Sequence, residues 1–238
     1  MSAPSIAVFD DASSVAQATA DALAERLALP GTHHVVLTGG GVGTQVLVAL
    51  QRVSTSVDWD RVHVWWGDER FLPEGDPERN ETGARDALLD SIPIPRSHVH
   101  PMPADVGQGV TTAAAAYADE LARFSDDGFV PAFDIILLGL GPEGHVASLF
   151  PGMRALHAAA SAVPIEDSPK PPPTRISLTL AAIREARDVW VVAAGGAKAE
   201  AVAAAISPAT PPDDVPAAGA RGRDATVFWL DREAAALT

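Results

Sequence analysis

A histidine follows a short turn directly after an apolar run in the stretch FDIILLGLGPEGHVASLFPG. This residue is His145, and the chain carries no cysteine and no G-x-S-x-G motif beside it, which makes Ser148 a poor candidate for a covalent nucleophile. A neutral imidazole has an ordinary pKa of about 6.5 and accepts protons near neutral pH. We therefore predict that His145 is a general base acting on water; the alternative is that it caps the next helix or hydrogen-bonds within its loop.

A glycine-rich segment, TGGGVGT at 38–44, stands between a predicted strand and a predicted helix. Glycines let the backbone approach a ligand closely, and the first amides of a helix are free to bind an anion, so the segment suits a phosphate. It departs from the dinucleotide pattern G-x-G-x-x-G, because Val46 stands where the third glycine belongs, and it lacks the lysine of a P-loop. The alternative is a tight turn without a ligand.

Charged residues stand beside three other turns. Asp68, Glu69 and Arg70 follow the run VHVWW and form either part of a site or a structural ion-pair network. Lys198 follows two glycines at a predicted helix start, where the helix dipole disfavours a cation, so it is explained by an anionic ligand or by simple solvation. Arg175 offers a planar fork to phosphate, or else protects the edge of a sheet.

One H-x-H pair, His98 and His100, is the only arrangement in the sequence that suggests a metal. No third ligand is recognisable nearby, so we predict no metal site and no cofactor.

Seven apolar, β-branched runs predict short strands, and most are separated by segments with helical periodicity. The predicted strands are 5–9, 34–38, 61–66, 133–140, 175–180, 188–194 and 225–230, and the predicted helices are 11–28, 42–53, 79–90, 110–124 and 196–206. This alternation predicts one α/β domain over 1–238, doubly wound, with a mainly parallel sheet and helices on both faces. Ligands of such sheets bind outside the carboxyl ends of the strands, where these loops would gather.

The charge balance limits the classes of partner. The 17 basic and 31 acidic residues give a net charge of −14, which disfavours nucleic acid and anionic membranes. An anionic ligand would then need a few basic residues gathered in one cleft. No run is apolar enough for a membrane span, the N-terminal segment does not resemble an export signal, and cysteine is absent, so we expect a cytoplasmic protein. The oligomeric state is not predicted.

Four segments together resemble the 6-phosphogluconolactonase family, hydrolases of the oxidative pentose phosphate pathway, over nearly the whole chain. In the family's order they are LTGGGVGT, VHVWWGDERFLPEGDPERN, FDIILLGLGPEGHVASLFPG and RISLTLAAIREARDVWVVAAGGAKAEAV. GHVASLFPG is the most specific of them, followed by WGDER with Asp76 and Asn80. The resemblance implies hydrolysis of 6-phospho-D-glucono-1,5-lactone without a metal or cofactor, with a sugar phosphate as the small-molecule partner.

The resemblance also implies roles for particular residues. His145 matches the catalytic histidine of the family, and Glu143, where the family commonly carries Asp, is the second catalytic candidate. The candidate substrate-binding residues are Gly39, Gly40, Gly41, Asp68, Arg70, Arg175 and Lys198.

Three other functions remain open beside lactone hydrolysis. An amino-sugar-phosphate deaminase or isomerase would use Asp68 or Glu69 to abstract a carbon-bound proton. A phosphosugar-binding regulator would keep the phosphate loop without turnover, although a regulator does not need a histidine base. A nicotinamide-dependent oxidoreductase is disfavoured by the missing third glycine.

Overall fold

The computed structural model describes residues 3–238 and contains nine strands and six α-helices within them. The strands are β1 Ser5–Phe9, β2 His33–Leu37, β3 Val62–Trp66, β4 Asp68–Arg70, β5 Ile135–Gly139, β6 Ala162–Ile165, β7 Arg175–Leu178, β8 Asp188–Ala193 and β9 Ala225–Asp231. The helices are α1 Ala12–Leu27, α2 Gly41–Val53, α3 Asn80–Ala87, α4 Val110–Arg123, α5 Leu180–Ile183 and α6 Ala199–Ile206.

Six strands form the main sheet, in the order β1-β9-β8-β5-β2-β3, and every neighbouring pair is parallel. The predicted doubly wound, mainly parallel architecture is confirmed. All six residues of β8 are buried, and because alternate side chains of a strand point to opposite faces, both faces of the sheet are covered there. Strands β2, β5 and β8 are neighbours, so the loops that follow them meet at one edge of the sheet.

A second sheet of three antiparallel strands, in the order β4-β7-β6, lies beyond the end of β3. Only Gly67 separates β3 from β4, so the chain passes directly from one sheet into the other. The sequence does not predict β4, whose three residues are all charged, or β6, which contains Pro164. The interpretation of Arg175 as an edge-strand charge is wrong, because β7 is the central strand of this sheet and Arg175 is buried.

The helices agree closely with the predicted segments, apart from the short α5. Asp11 caps α1 by accepting a hydrogen bond from the backbone N–H of Ser14, whereas α2 begins without any side-chain cap. Helices α1 and α2 pack against each other, and buried side chains of both sheets join them in one contiguous apolar core. No helix within residues 3–238 is long and apolar enough to cross a membrane.

Candidate active site

A cavity of about 360 Å³ lies at the carboxyl edge of the main sheet, where the loops after β2, β5 and β8 meet β4 and β7. Eight of the candidate residues line it, and Glu143 lies behind one of them. The eight are Gly39, Gly40, Gly41, Asp68, Arg70, His145, Arg175 and Lys198. Loops separated by up to 159 positions in the sequence therefore converge on one space, as the position of ligand sites in parallel sheets predicts.

His145 is held from two sides in the loop after β5. Its ring stacks on Phe150 with 4.2 Å between the ring centroids, and its Nδ1 lies 3.1 Å from Oε1 of Glu143. The Nδ1 atom is buried, and its contact with Glu143 is within ion-pair distance but lacks the alignment of a hydrogen bond. A carboxylate beside Nδ1 favours the tautomer that carries the proton there, which leaves the lone pair on Nε2. Burial lowers the pKa of His145 against the opposing effect of Glu143, which favours the neutral imidazole.

Gly141 makes room for this pair. A Cβ atom at position 141 would lie 1.9 Å from Nδ1 of His145 and 2.8 Å from Oε2 of Glu143. The backbone N–H of Gly141 also donates to the carbonyl oxygen of His145 at 3.0 Å. The absence of a side chain at Gly141 is therefore a condition for the position of the imidazole.

Lys170 also belongs to the site, although its position in a proline-rich loop does not predict this. Its Nζ lies 2.8 Å from Oε1 and 3.0 Å from Oε2 of Glu143, and it lines the cavity. Burial alone would raise the pKa of Glu143, but the hydrogen bond from Lys170 and the charges nearby hold it below its ordinary value. One signal was available in the sequence, because the chain has only two lysines, Lys170 and Lys198, and both line this cavity.

Arg175 uses most of its guanidinium to hold the proline-rich loop 168–174. Its Nε donates to the carbonyl oxygen of Pro172 at 3.0 Å, and its Nη2 donates to those of Lys170 at 3.0 Å and Pro171 at 3.1 Å. Only Nη1 points elsewhere, with a long contact of 3.4 Å to Oγ of Ser148. Arg175 therefore shapes the wall that carries Lys170 as well as lining the cavity.

Asp68 is fixed in place by two neighbours. Ser148 donates from Oγ to Oδ2 of Asp68 at 2.6 Å, and Asn80 donates from Nδ2 to its Oδ1 at 3.2 Å. Ser148 is fully buried and does not line the cavity, which agrees with the prediction that it is not a nucleophile. Gly39 lies against the same amide, since a Cβ there would be 1.9 Å from Oδ1 of Asn80.

Glu69 belongs to a structural network, which is the alternative that the sequence leaves open for it. Its carboxylate accepts backbone N–H groups from Arg70 at 2.8 Å, Asn80 at 2.6 Å and Glu81 at 2.8 Å, and Arg79 lies 3.7 Å away. Burial raises the pKa of Glu69 to about 7, in opposition to Arg79 and these amides. The side chain is fully buried and absent from the cavity wall, so Glu69 fastens the loop after β4 to the start of α3.

The glycine turn presents free backbone to the cavity. Gly40 has φ 83° and ψ 173°, a conformation that residues with side chains rarely adopt, and a Cβ at Gly41 would meet nothing within 4 Å. Because α2 has no side-chain cap, its first amides lack a side-chain acceptor, and Gly41, Val42 and Gly43 of this first turn line the cavity. Lys198 stands at the start of α6, and no carboxylate within residues 3–238 pairs with it. Burial lowers the pKa of Lys198, and the positive charge of Lys170 lowers it further.

A group of histidines lies away from this cavity, at the beginning of β2 and β3. His34 and His63 are direct neighbours across the two strands and stack, and Nδ1 of His63 lies 2.9 Å from Nε2 of His100. Burial lowers the pKa of both His34 and His63 to about 4, so these rings are neutral at neutral pH. Within residues 3–238, no group of three or more His, Cys, Asp or Glu side chains is arranged to hold a metal ion.

A glycine-lined cavity with a histidine–carboxylate pair and several cations, at the carboxyl edge of a parallel sheet, defines the class of α/β proteins that carry a small-molecule site in their strand-end loops. Within that class, the chain belongs to the family described as "Glucosamine-6-phosphate isomerases/6-phosphogluconolactonase", whose model matches residues 10–229.

Individual relatives agree with this assignment. A 6-phosphogluconolactonase of Streptomyces coelicolor is 50% identical over an alignment of 247 positions, which spans 98% of this chain and 94% of that protein. The solved 6-phosphogluconolactonase of Trypanosoma brucei is 26% identical, with a TM-score of 0.83 and 98% of each chain covered. A solved monomeric glucosamine-6-phosphate deaminase also has a TM-score of 0.83, covering 98% of this chain and 100% of that one, at 20% identity. That last likeness shows only the fold, so the fold by itself does not separate lactonase from deaminase.

Proposed function

We propose that the protein hydrolyses 6-phospho-D-glucono-1,5-lactone to 6-phosphogluconate, a reaction of the oxidative pentose phosphate pathway. The observation that carries this proposal is the pair of His145 and Glu143, 3.1 Å apart at the wall of a cationic cavity, in a chain 50% identical to a protein named 6-phosphogluconolactonase. A sugar-phosphate lactone is an activated ester, and its hydrolysis needs a base, a water molecule and stabilisation of the negative oxygen.

The proton transfers follow from the placement of His145. Nε2 takes a proton from water while the water oxygen forms a bond to the lactone carbonyl carbon. Glu143, beside Nδ1, stabilises the imidazolium that results. The bond between the carbonyl carbon and the ring oxygen then breaks, and the proton on Nε2 passes to the departing ring oxygen. One water is consumed, one acid is released, and the histidine returns to its neutral form.

The cations explain how an acidic chain holds an anionic substrate. Although the net charge is −14, Arg70, Arg175, Lys170 and Lys198 all line this one cavity. The open amides at Gly41 and the half-buried Lys198 suit the phosphate, since neither has a partner of its own within the described chain.

The deaminase alternative lacks a free base in this site. Asp68 is held by Ser148 and Asn80, and Glu69 is buried outside the cavity wall. The carboxylates that this alternative requires are therefore engaged in structural contacts.

The deciding experiment offers two substrates to the same preparation. Freshly generated 6-phosphoglucono-δ-lactone should release acid faster than its spontaneous hydrolysis, and glucosamine 6-phosphate should release no ammonia. Ammonia release would move the base to the segment Asp68–Arg70. Binding of 6-phosphogluconate with neither reaction catalysed would favour a regulator.

A further inference from the structure

Lys170 lines the cavity and contacts Glu143, the carboxylate that lies beside His145. The Nζ atom lies 2.8 Å and 3.0 Å from the two oxygens of the carboxylate whose Oε1 is 3.1 Å from Nδ1 of His145. The carboxylate of Glu143 therefore contacts both the ammonium group of Lys170 and the imidazole of His145. Lys170 also lies 6.0 Å from the centroid of Phe150, the ring on which His145 stacks.

The carboxylate alone would work against a base. A negative charge beside an imidazole stabilises the protonated ring and so reduces the fraction that can accept a proton. The charged groups that affect His145 are Glu143 from its own loop, Lys170 from loop 168–174 and Asp68 from β4. Lys170 opposes the two carboxylates, so it lets Glu143 orient the ring without keeping it protonated.

Arg175 fixes the backbone of the loop that carries Lys170. The guanidinium of Arg175 binds the carbonyl oxygens of Lys170, Pro171 and Pro172, which fixes the backbone from which the lysine side chain extends. Arg175 is itself buried in the centre of the second sheet, so the loop is anchored to a rigid element.

The composition points to a special use of lysine. The chain contains 17 basic residues, of which only Lys170 and Lys198 are lysines, and arginine supplies the charge everywhere else. An ammonium is a compact point charge with rotatable donors, whereas a guanidinium is a wide planar fork. A point charge suits contact with both oxygens of Glu143.

We propose that Lys170 is a positioning residue of the hydrolytic site, which holds Glu143 beside His145 and offsets its charge so that the imidazole remains a base. The expected effect on turnover rests on the function proposed above. The expected effect on the protonation of His145 does not depend on which reaction the protein catalyses.

The test compares Lys170→Gln, which removes the charge, and Lys170→Arg, which keeps it, with the control Arg61→Gln. Arg61 forms an exposed ion pair with Asp58 at 3.1 Å just before β3, at the opposite end of that strand from the site, and its loss changes the net charge equally. The first readout is the NMR titration of the His145 imidazole, assigned by the signal lost in His145→Asn. The titration midpoint should rise by about half a unit to one unit in Lys170→Gln and stay unchanged in Arg61→Gln.

The second readout is the pH dependence of lactone hydrolysis. In Lys170→Gln the acid limb of the kcat/KM profile should move to higher pH by the same amount. At pH values on the acid side of that limb, kcat/KM should therefore fall about 3–10-fold. Lys170→Arg should restore much of the original limb. A raised KM at all pH values with an unmoved limb and an unmoved NMR midpoint would overturn the proposal and make Lys170 a simple substrate contact. An NMR shift in a protein without lactonase activity would keep the electrostatic role and reject the proposed function.

Discussion

Arg70 and Arg175 lie directly opposite each other in the antiparallel pair of β4 and β7, and both line the cavity. Like charges in this position cost stability, on the order of 0.2–1 kcal/mol. Hydrogen bonds to backbone oxygen atoms offset part of this repulsion: Arg70 donates to Glu78, and Arg175 donates to loop 168–174. An anion bound between the two guanidinium groups would reduce the remaining repulsion, so we predict that this pair contributes to recognition of the substrate phosphate.

Replacing Arg70 by Gln should therefore raise KM for the phosphorylated lactone by about 10–100-fold, the value of one hydrogen bond to a charged group. The KM for unphosphorylated gluconolactone should change little. Steady-state kinetics on the two lactones measure the difference, with Arg61→Gln as the control for net charge. Equal changes for both substrates would show that Arg70 does not recognise phosphate. The conservative variant Arg175→Lys should also bind the phosphorylated lactone more weakly than the original protein, because lysine lacks the planar fork of arginine.

Gly141→Ala should abolish most activity in a protein that still folds. The added methyl group would lie 1.9 Å from Nδ1 of His145, so the imidazole must move away from Glu143. A shift of about 1 Å in a catalytic group costs about 100-fold in rate. The matched control is Gly83→Ala in α3, where a Cβ meets nothing within 4 Å and alanine favours the helix. Turnover and far-UV circular dichroism of both variants measure the effect, and full activity of Gly141→Ala would contradict the geometry.

Ser148→Ala should retain turnover. Ser148 is fully buried and its hydroxyl donates to Asp68, so it orients a carboxylate and does not attack the substrate. The variant should lose about 1–3 kcal/mol of unfolding free energy, because Asp68 loses a buried donor. Chemical denaturation and steady-state kinetics separate the two effects. Complete loss of activity in a folded variant, or a trapped acyl-enzyme in the original protein, would instead support a covalent mechanism.

Most of the fold was predictable, because the strands of a buried parallel sheet are apolar runs and the helices between them have clear periodicity. The second sheet was not, since Asp68–Arg70 is too polar and too short to indicate a strand, and Pro164 lies within β6. β4 follows β3 after Gly67 alone and pairs with β7, and β6 pairs with the other edge of β7, so both strands depend on contacts distant in sequence.

The site was predictable where a residue stands in a turn after a predicted strand, as His145 and the glycines do. Lys170 was not, because it lies in a proline-rich loop whose path depends on Arg175, five positions later. The histidine group around His63 was also missed, although His34 and His63 occupy equivalent positions in adjacent parallel strands.

His145→Asn should lower kcat by about 10²–10⁴-fold while binding of 6-phosphogluconate largely survives, because asparagine keeps a polar side chain but accepts no proton. In the original protein, activity should fall as the pH decreases, since the protonated imidazole is not a base. Burial lowers the pKa of His145, so this fall should lie on the acid side of the ordinary value of about 6.5. The limb should be absent from whatever activity the variant retains. Rates between pH 4.5 and 8, corrected for spontaneous hydrolysis, provide the measurement, and isothermal titration with 6-phosphogluconate controls for binding. Near-normal turnover in a folded variant, or an acid limb that persists there, would assign the base to another residue.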